Sequence, residues 1–161
     1  MREVEIAFET FKSKNSLCYW YKVKNPFFVA ANFVMIQISK FFPSLSLKRL
    51  FLRSTGMKIG KNVAIGFSAQ FDIFFPELIE IGENTIIGHN SIILTHEFLI
   101  DKFRTGKVKI GKNVLIGSNV LILPGVSIGD NSKISSFSLV NKDVKRNSFM
   151  GGVPIKRITK R

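Results

Sequence analysis

His96 is the residue of this sequence best suited to proton transfer. Only one other histidine, His89, is present, and we interpret that one as an exposed packing residue. A neutral imidazole can take a proton from a hydroxyl group and so turn it into a nucleophile near neutral pH. No Ser-His-Asp spacing is evident, so nothing predicts a covalent acyl-enzyme. An isolated histidine is more often an ordinary solvated side chain, and its surroundings must decide between the two interpretations.

A six-residue repeat surrounds this histidine. Counted from residue 110, every sixth residue is a branched aliphatic, and glycine directly follows three of these positions. The aliphatic positions are Ile110, Ile116, Ile122, Ile128, Ile134 and Val140. This period does not match the 3.6-residue period of an α-helix, whereas short β-segments joined by tight turns fit it. The repeat therefore predicts an all-β solenoid whose coils stack and bury one continuous core.

The repeat is interrupted at two places. The hexads begin at Ile59 and slip in register within residues 71–74, which predicts a shortened turn or bulge that carries Asp72. Beyond His96, residues 99–103 are more than the register needs. Because a solenoid expels an insertion as a loop on one face, often the binding face, we predict a loop at about 98–104 beside His96.

The first 55 residues are predicted to be helical and to cover the open end of the solenoid. Acidic residues precede lysines over residues 3–14, the order that a helix macrodipole favours. Asn25 and Pro26 predict the N-cap and first turn of another helix, and Pro43 predicts its end. The apolar stretch between the prolines has 16 residues. It falls short of the ~20 residues that span a bilayer.

This apolar stretch leaves two roles open. Asn32, Ser39 and Lys40 share one side at helical spacing, so the helix is predicted to be amphipathic. It can cap the solenoid, lie on a membrane surface, or do both. Residues 44–53 are basic and apolar as well, which keeps peripheral membrane contact through residues 25–53 open.

The charge of the chain predicts an anionic partner. There are 24 Lys and Arg residues against 11 Asp and Glu, a net charge of +13. A phosphate-bearing cofactor, an anionic membrane and nucleic acid all qualify, but no helix-turn-helix, zinc-finger or RNP motif supports nucleic acid. Acidic residues precede any apolar run at the N-terminus, so a secretory signal is not expected there, and the single Cys18 excludes an internal disulfide. We therefore expect a cytoplasmic protein, on the inner face of the membrane if residues 25–53 bind it.

Three segments follow from these patterns. Residues 1–55 are the helical cap, residues 56–148 the β-solenoid with its inserted loop, and residues 149–161 a basic tail. The glycine pair at 151–152 permits a sharp reversal, so the tail is expected to fold back along the coils.

Several motifs together resemble the hexapeptide-repeat O-acetyltransferases, which include maltose, galactoside and capsular or lipopolysaccharide sugar acetyltransferases. The motifs are THEF at 95–98, the insertion after it, VKIGKNVLIGSNVLILPGVSIGD at 108–130, SLVNKDV at 138–144 and GGVPIKRI at 151–158. The resemblance covers residues 57–161. It implies a left-handed parallel β-helix, a homotrimer, and acetyl-CoA in a groove between two subunits, without a metal.

The same resemblance assigns roles to individual residues. His96 stands where the family has the general base that activates the acceptor hydroxyl for direct attack on the thioester. Contacts with acetyl-CoA are implied for Ser118, Ser136, Asn141 and Lys156. The cations Lys142 and Lys156 suit the adenosine phosphates, and the backbone N–H at Ser118 is a candidate oxyanion donor. The family more often has alanine or glycine where Ser135, Ser136 and Phe137 stand.

Two acidic residues are candidates for binding the saccharide acceptor. Asp72 is expected either to contact the acceptor or to form a structural Asx-turn. Glu97 follows His96 directly and is the second candidate, with a solvated side chain as its alternative. The basic, apolar helices favour a lipid-linked or membrane-associated glycan as the acceptor.

Other functions remain as alternatives. An amino sugar can be the acceptor, because the same base serves an amine. A γ-type carbonic anhydrase shares the helix but needs three histidines for zinc, and this sequence has two. A non-catalytic scaffold is the third alternative, although it has no need for THEF followed by an expelled loop.

Overall fold

The computed structural model describes residues 2–9 and 14–159. Elements are numbered in chain order. The chain begins with strand β1 (Glu5–Glu9), a 3-10 helix (Ser16–Tyr19) and helices α1 (Trp20–Val23), α2 (Pro26–Phe41) and α3 (Leu45–Ser54). The remaining strands build a three-sided solenoid in which each coil contributes one short strand to each side.

Three parallel sheets form the sides of the solenoid, and we call them faces 1, 2 and 3 in the order in which the chain visits them. Face 1 holds β2 (Lys58–Ile59), β5 (Ile79–Ile81), β10 (Val108–Ile110) and β13 (Ser127–Ile128). Face 2 holds β3 (Ala64–Ile65), β6 (Ile86–Ile87), β11 (Leu115–Ile116), β14 (Lys133–Ile134), β16 (Phe149–Gly151) and the antiparallel β17 (Lys156–Arg157). Face 3 holds β4 (Gln70–Phe71), β7 (Ile92–Ile93), β12 (Leu121–Ile122) and β15 (Leu139–Val140).

The aliphatic position of each hexad points into the core, as the repeat predicts. Ile110, Ile116, Ile122, Ile128, Ile134 and Val140 are all buried. Strands of successive coils pair in register, so that Ile93 lies beside Ile122, and Ile122 beside Val140. On faces 1 and 2 most coils have glycine after the aliphatic residue, because a side chain there would meet the next coil: a Cβ atom on Gly88 would collide with the backbone of Gly117.

Asparagines at the corners form ladders along the solenoid axis. Asn84, Asn113 and Asn131 all have positive φ, a conformation that asparagine tolerates better than most residues. Asn113 accepts a hydrogen bond from Asn84 (2.9 Å) and donates one to Asn131 (3.2 Å). Asn90 donates in the same way to Asn119 at 2.7 Å.

The helices cover the first coil, as predicted. Asn25 accepts a hydrogen bond from the backbone of Phe27 at 2.9 Å, and Pro26 is the first residue of α2. Ile36 of α2 and Leu52 of α3 join the solenoid core. Lys48 of α3 is buried, and its ammonium group donates to carbonyl oxygens of the corner, which satisfies acceptors at the exposed coil edge. Burial lowers the pKa of Lys48 from its ordinary value.

The helix predicted over residues 3–14 is wrong for the part that the structure describes. Residues 5–9 are strand β1, and residues 10–13 lie outside the described residues. The insertion predicted as a loop at about 98–104 is a hairpin, formed by β8 (His96–Phe98) and β9 (Lys102–Thr105). Strand β1 pairs antiparallel with β9, so hydrogen bonds from a distant segment outweigh the charge order that favours a helix.

The solenoid ends a few residues later than the predicted start of the tail at residue 149. Strand β16 pairs parallel with β14 and therefore belongs to the solenoid through Gly151. Beyond it the chain reverses, and β17 returns antiparallel along β16, with Ile155 buried beneath the turn. The predicted fold-back of the tail is thus present. Among the residues described, no helix is both long enough and apolar enough to cross a membrane.

The asparagine ladder yields a test of the corner geometry. Replacing Asn113 by alanine removes both ladder hydrogen bonds and places a β-carbon residue at positive φ, which costs ~1–2 kcal/mol for the conformation alone. Glycine removes the same hydrogen bonds without that conformational cost. We expect Asn113→Ala to lower the free energy of unfolding more than Asn113→Gly, by about 1 kcal/mol, in denaturant titrations. The neighbouring exposed change Lys112→Ala serves as the control, and equal losses for the two Asn113 variants would contradict this account.

Candidate active site

Asp72 occupies the shortened turn that follows β4. Its Oδ1 accepts hydrogen bonds from the backbone N–H groups of Phe74 (2.8 Å) and Phe75 (3.1 Å), which is the Asx-turn expected as one alternative. Its Oδ2 accepts another from the backbone N–H of Thr95 at 2.8 Å. The carboxylate has no exposed surface, so it is committed to contacts inside the protein.

His96 lies at the start of the inserted hairpin and contacts the same carboxylate. Its Nδ1 is 2.5 Å from Oδ2 of Asp72. An ionised carboxylate is an acceptor only, so the proton of the neutral ring resides on Nδ1 and the lone pair on Nε2. Among residues 2–9 and 14–159, the structure shows a hydrogen-bond partner for Nδ1 of His96 but none for Nε2. This arrangement fixes the ring and leaves Nε2 available to a substrate.

The pKa of Asp72 reflects this arrangement. Burial by itself raises the pKa of the carboxyl, but the hydrogen bond from His96, the positive charge of that ring when protonated, and the backbone N–H groups of Thr95 and Phe75 oppose it. The net result is a pKa below the ordinary value of an aspartic acid. Asp72 therefore stays ionised as the partner of His96.

Four phenylalanine rings surround the imidazole. The centroids of Phe74 and Phe98 lie 4.8 and 5.1 Å from that of His96, both edge-on. The rings of Phe103 and Phe75 lie 5.8 and 6.5 Å away. These rings limit the access of water, and only 15% of the His96 side chain is exposed.

The aromatic cluster extends to the N-terminal helices. Trp20 of α1 meets Phe74 edge-on at 6.2 Å, and the Trp20 side chain is partly exposed. A chain of rings thus runs from solvent to His96. The six-residue repeat does not predict these aromatic side chains, although the run Phe74-Phe75 beside Asp72 indicates two of them.

Asp72 and Glu97 do not have the acceptor-facing positions expected for them. Asp72 is buried and orients His96 instead. Glu97 points to the opposite side of β8 from His96, because side chains alternate along a strand. Its carboxylate forms a two-pronged ion pair with Arg2, at 2.7 and 3.3 Å, which ties the N-terminal segment to the hairpin.

The residues expected to contact acetyl-CoA lie at two corners of the solenoid and on strand β17. Ser118 and Ser136 lie together at the corner between faces 2 and 3, where the backbone N–H of Ser118 donates to Oγ of Ser136 at 3.1 Å. Asn141 and Lys142 follow β15, at the corner where Asp72 follows β4. Lys156 is exposed on β17, at the edge of face 2.

Two features near these contacts are unusual for ordinary corners. Oδ1 of Asn141 is buried and has no hydrogen-bond partner within the part of the chain that the structure describes. Phe137 has φ of 55° and is 72% exposed, at a corner position that the other coils fill with the smaller residues Ser68, Asn90 and Asn119. A bulky residue in this conformation is an outlier, and such outliers cluster at functional sites.

A groove of about 930 Å³ runs along the corner after face 1. Its lining includes Lys58, Lys109 and Asp143, and contains neither His96 nor any expected acetyl-CoA contact. The candidate site therefore lies at Asp72 and His96, whose side chains suit proton transfer, and not in this groove. Among the described residues, no group of three or more His, Cys, Asp or Glu side chains is arranged to hold a metal ion.

Comparisons of the sequence with known proteins identify the family to which the chain belongs. Residues 107–142 match the sequence model "Bacterial transferase hexapeptide (six repeats)". The chain is 46% identical over 148 residues to the "Putative acetyltransferase YvoF" of Bacillus subtilis (strain 168), with 89% of this chain and 84% of that protein covered. It is 45% identical over 142 residues to a protein of the same description from Staphylococcus aureus (strain MRSA252), with 88% of each chain covered.

Solved structures share the fold. A hexapeptide-repeat acetyltransferase from Vibrio cholerae O1 biovar eltor, complexed with acetyl coenzyme A, has a TM-score of 0.65 at 19% identity, covering 82% of this chain and 86% of that one. A maltose O-acetyltransferase from Clostridium difficile 630 has a TM-score of 0.62 at 24% identity, covering 84% and 89%. The predicted left-handed parallel β-helix is thereby confirmed.

The Asp72 interactions predict a pH-dependent stability. The Asp72→Asn variant places an amide N–H₂ group against N–H donors, and we expect it to lower the free energy of unfolding by ~1–3 kcal/mol at neutral pH. Because the folded-state pKa of Asp72 is depressed, its stabilisation is present above the unfolded value of about 4 and is lost as pH falls through the folded pKa. The difference between wild type and variant should therefore shrink below about pH 4 in thermal melts. The Asp101→Asn variant, at an exposed side chain, is the control, and a constant difference across pH would contradict the assignment.

Proposed function

This chain belongs to the bacterial hexapeptide-repeat acetyltransferases, and from that premise we propose that it transfers an acetyl group from acetyl-CoA to a hydroxyl of a saccharide, with His96 as the general base. The observation that carries the mechanism is the hydrogen bond between Nδ1 of His96 and the buried carboxylate of Asp72. It fixes both the tautomer and the direction of the ring, so that Nε2 is the proton acceptor.

The proposed reaction needs no covalent enzyme intermediate. Nε2 of His96 takes the proton of the acceptor hydroxyl as the oxygen attacks the thioester carbonyl. The tetrahedral intermediate then collapses, the carbon–sulfur bond breaks, and the imidazolium returns its proton to the departing thiolate of CoA. Asp72 stabilises the imidazolium throughout and acts as a positioning residue. A backbone N–H near Ser118 is the proposed donor to the oxyanion.

We propose that acetyl-CoA contacts Ser118, Ser136, Asn141, Lys142 and Lys156. The exposed cations Lys142 and Lys156 suit the adenosine phosphates. The unpartnered Oδ1 of Asn141 supports a ligand contact, since a buried acceptor without a partner is costly. A relative with the same fold is described as complexed with acetyl coenzyme A.

A homotrimer is part of this proposal. The residues proposed to contact acetyl-CoA lie at the two corners that border face 3 and on β17 of face 2, so they are distributed over more than one side of the solenoid. A groove between two subunits would bring one corner against the other. The outer residues Ile86, Leu115 and Phe149 of face 2 are exposed and apolar, which supports burial against a neighbouring subunit.

A saccharide is the acceptor class that the aromatic surroundings favour. Rings of Trp20, Phe74 and Phe98 offer apolar surfaces for the C–H faces of a sugar, while Nε2 of His96 supplies the polar contact. A relative with the same fold is a maltose O-acetyltransferase. We propose a glycan under assembly, lipid-linked and on the cytoplasmic side, as the acceptor, because the site adjoins the exposed apolar residues of the helical cap.

Replacing the base tests the mechanism directly. We expect His96→Ala to lower kcat by ~10²–10⁴-fold. The change also leaves a gap among the phenylalanine rings and removes a partner of the buried Asp72 carboxylate, so the melting temperature falls as well. Both proteins are therefore assayed at a temperature at which circular dichroism shows them to be folded. The assay follows release of the CoA thiol from acetyl-CoA in the presence of saccharide acceptors. The matched control is His89→Ala, whose ring stacks on Phe67 at another corner, and it should keep kcat within about threefold. Unchanged turnover for His96→Ala would remove it from the role of base.

Charge removal tests the acetyl-CoA contacts. We expect the double variant Lys142→Gln, Lys156→Gln to raise KM for acetyl-CoA about tenfold, or ~1.4 kcal/mol, with little effect on kcat. S-acetylpantetheine lacks the adenosine phosphates, so its KM should not change. Lys61→Gln, an exposed lysine near the helical cap, is the control. An equal effect on both donors would show that these lysines do not bind the phosphates.

A further inference from the structure

The outer side of α2 is an apolar surface without a partner in the described structure. Phe27, Ala31, Val34, Ile38 and Phe41 recur at spacings of four and three residues and therefore lie on one side of the helix. All five are exposed, with 74% of Phe27 and 59% of Phe41 accessible to solvent. A row of this kind on a monomer marks an interaction site more often than a solvated surface.

The polar residues of α2 lie on the other side and face the protein. Asn32 donates to the carbonyl oxygen of Ile73 at 3.0 Å, and Ser39 is buried with its hydroxyl bonded to Ile36. The backbone carbonyl of Lys40 accepts from Lys48 and from Ser68. Val29 and Ile36 are buried on this same inner side, so α2 carries apolar residues on both its inner and its outer side. A helix whose apolar side faces outward requires an apolar medium or partner there.

Neighbouring residues enlarge this surface. Leu45 and Leu50 of α3 are exposed, with 59% of Leu50 accessible. Phe67, at the first corner between faces 2 and 3, is half-exposed and packs edge-on against Phe41 at 5.4 Å. We call the outer row of α2 together with Leu45, Leu50 and Phe67 the cap surface.

The charged residues of the segment that carries most of the cap surface are all cationic. No Asp or Glu occurs from residue 10 to residue 71, whereas ten Lys and Arg do. Among them, Lys24 pairs with Glu77 of the solenoid. Others, such as Arg49 and Arg53, hydrogen-bond backbone carbonyls at the first coil and keep their charge. The region is thus apolar and cationic together.

We propose that the cap surface docks on an anionic lipid bilayer. A bilayer satisfies both features, because its acyl region accepts the phenylalanine and aliphatic side chains and its acidic headgroups complement the cations. A second copy of the chain fits less well, since a twofold contact through this surface would oppose two regions in which cations outnumber acidic residues.

This docking goes beyond acetyl transfer and stands without it. If the proposed function holds, docking also brings the site to its substrate: α2 bonds to Ile73, and Trp20 of α1 contacts Phe74, beside His96. A lipid-linked glycan would then approach the aromatic cluster from the membrane side.

The test is flotation of the full chain with vesicles of phosphatidylcholine, alone or with about one quarter phosphatidylglycerol. We expect binding to the anionic vesicles that weakens as NaCl is raised, because salt screens the headgroup attraction. The double variant Val34→Ser, Ile38→Ser should bind at least about tenfold more weakly, since two exposed apolar contacts are lost. Both side chains are exposed, so the variant keeps its core.

A matched pair controls for the loss of apolar side chains. Val153→Ser with Ile158→Ser changes two exposed aliphatics at the opposite end of the solenoid and should leave vesicle binding unchanged. Light scattering on the same proteins reports the number of subunits. Failure of the wild type to bind anionic vesicles overturns the proposal. So does a change in subunit number for Val34→Ser, Ile38→Ser without a change in vesicle binding, which would assign the cap surface to contact between copies.

Discussion

In-register pairing between coils is the constraint on which the site depends. Phe71 of β4 lies beside Ile93 of β7, and this pairing sets the residues that follow each strand side by side at one corner. Asp72 and His96 are 24 residues apart in the chain and meet there. At the corner between faces 2 and 3, glycines such as Gly88 and Gly117 permit the close approach of successive coils that this pairing requires. The repeat thus supplies a rigid frame for a proton-transfer pair.

The two interruptions of the repeat contribute groups that the regular coils do not: amide donors to the Asp72 carboxylate, and aromatic rings around His96. A regular coil would turn at Asp72 without the extra amide donors that hold its carboxylate. The inserted hairpin adds Phe98 and Phe103, whose rings pack against each other at 4.6 Å and against His96. Strand β1 extends the hairpin to a three-stranded sheet and prevents it from swinging freely. The regular coils position the site, and the irregular segments contribute its reactive and aromatic side chains.

The helical cap connects the site with the surroundings of the protein. Its inward residues Ile36 and Leu52 complete the core, so the first coil does not expose its interior. Its Lys48 satisfies carbonyl groups that have no further coil to pair with. The inner side of the cap meets those requirements, and within the described residues the outer side of α2 remains exposed except where Phe41 packs against Phe67. Its apolar character therefore calls for an external explanation.

The sequence by itself determined the solenoid, its three-sided core, the helical cap, and His96 as the candidate base. The solenoid follows from spacing within short stretches, because each coil packs only on neighbours that carry the same pattern. The three-sided coil and the role of His96 follow from the resemblance of several motifs to the hexapeptide-repeat family. Only the tertiary structure decided that residues 5–9 form a strand, that Asp72 orients His96, that Glu97 pairs with Arg2, and which side of α2 faces outward. Those outcomes depend on where interrupted segments return in space. The spacing of residues in a short stretch does not predict such contacts. Each contact depends on which distant segments compete for the same hydrogen bonds and the same buried surface.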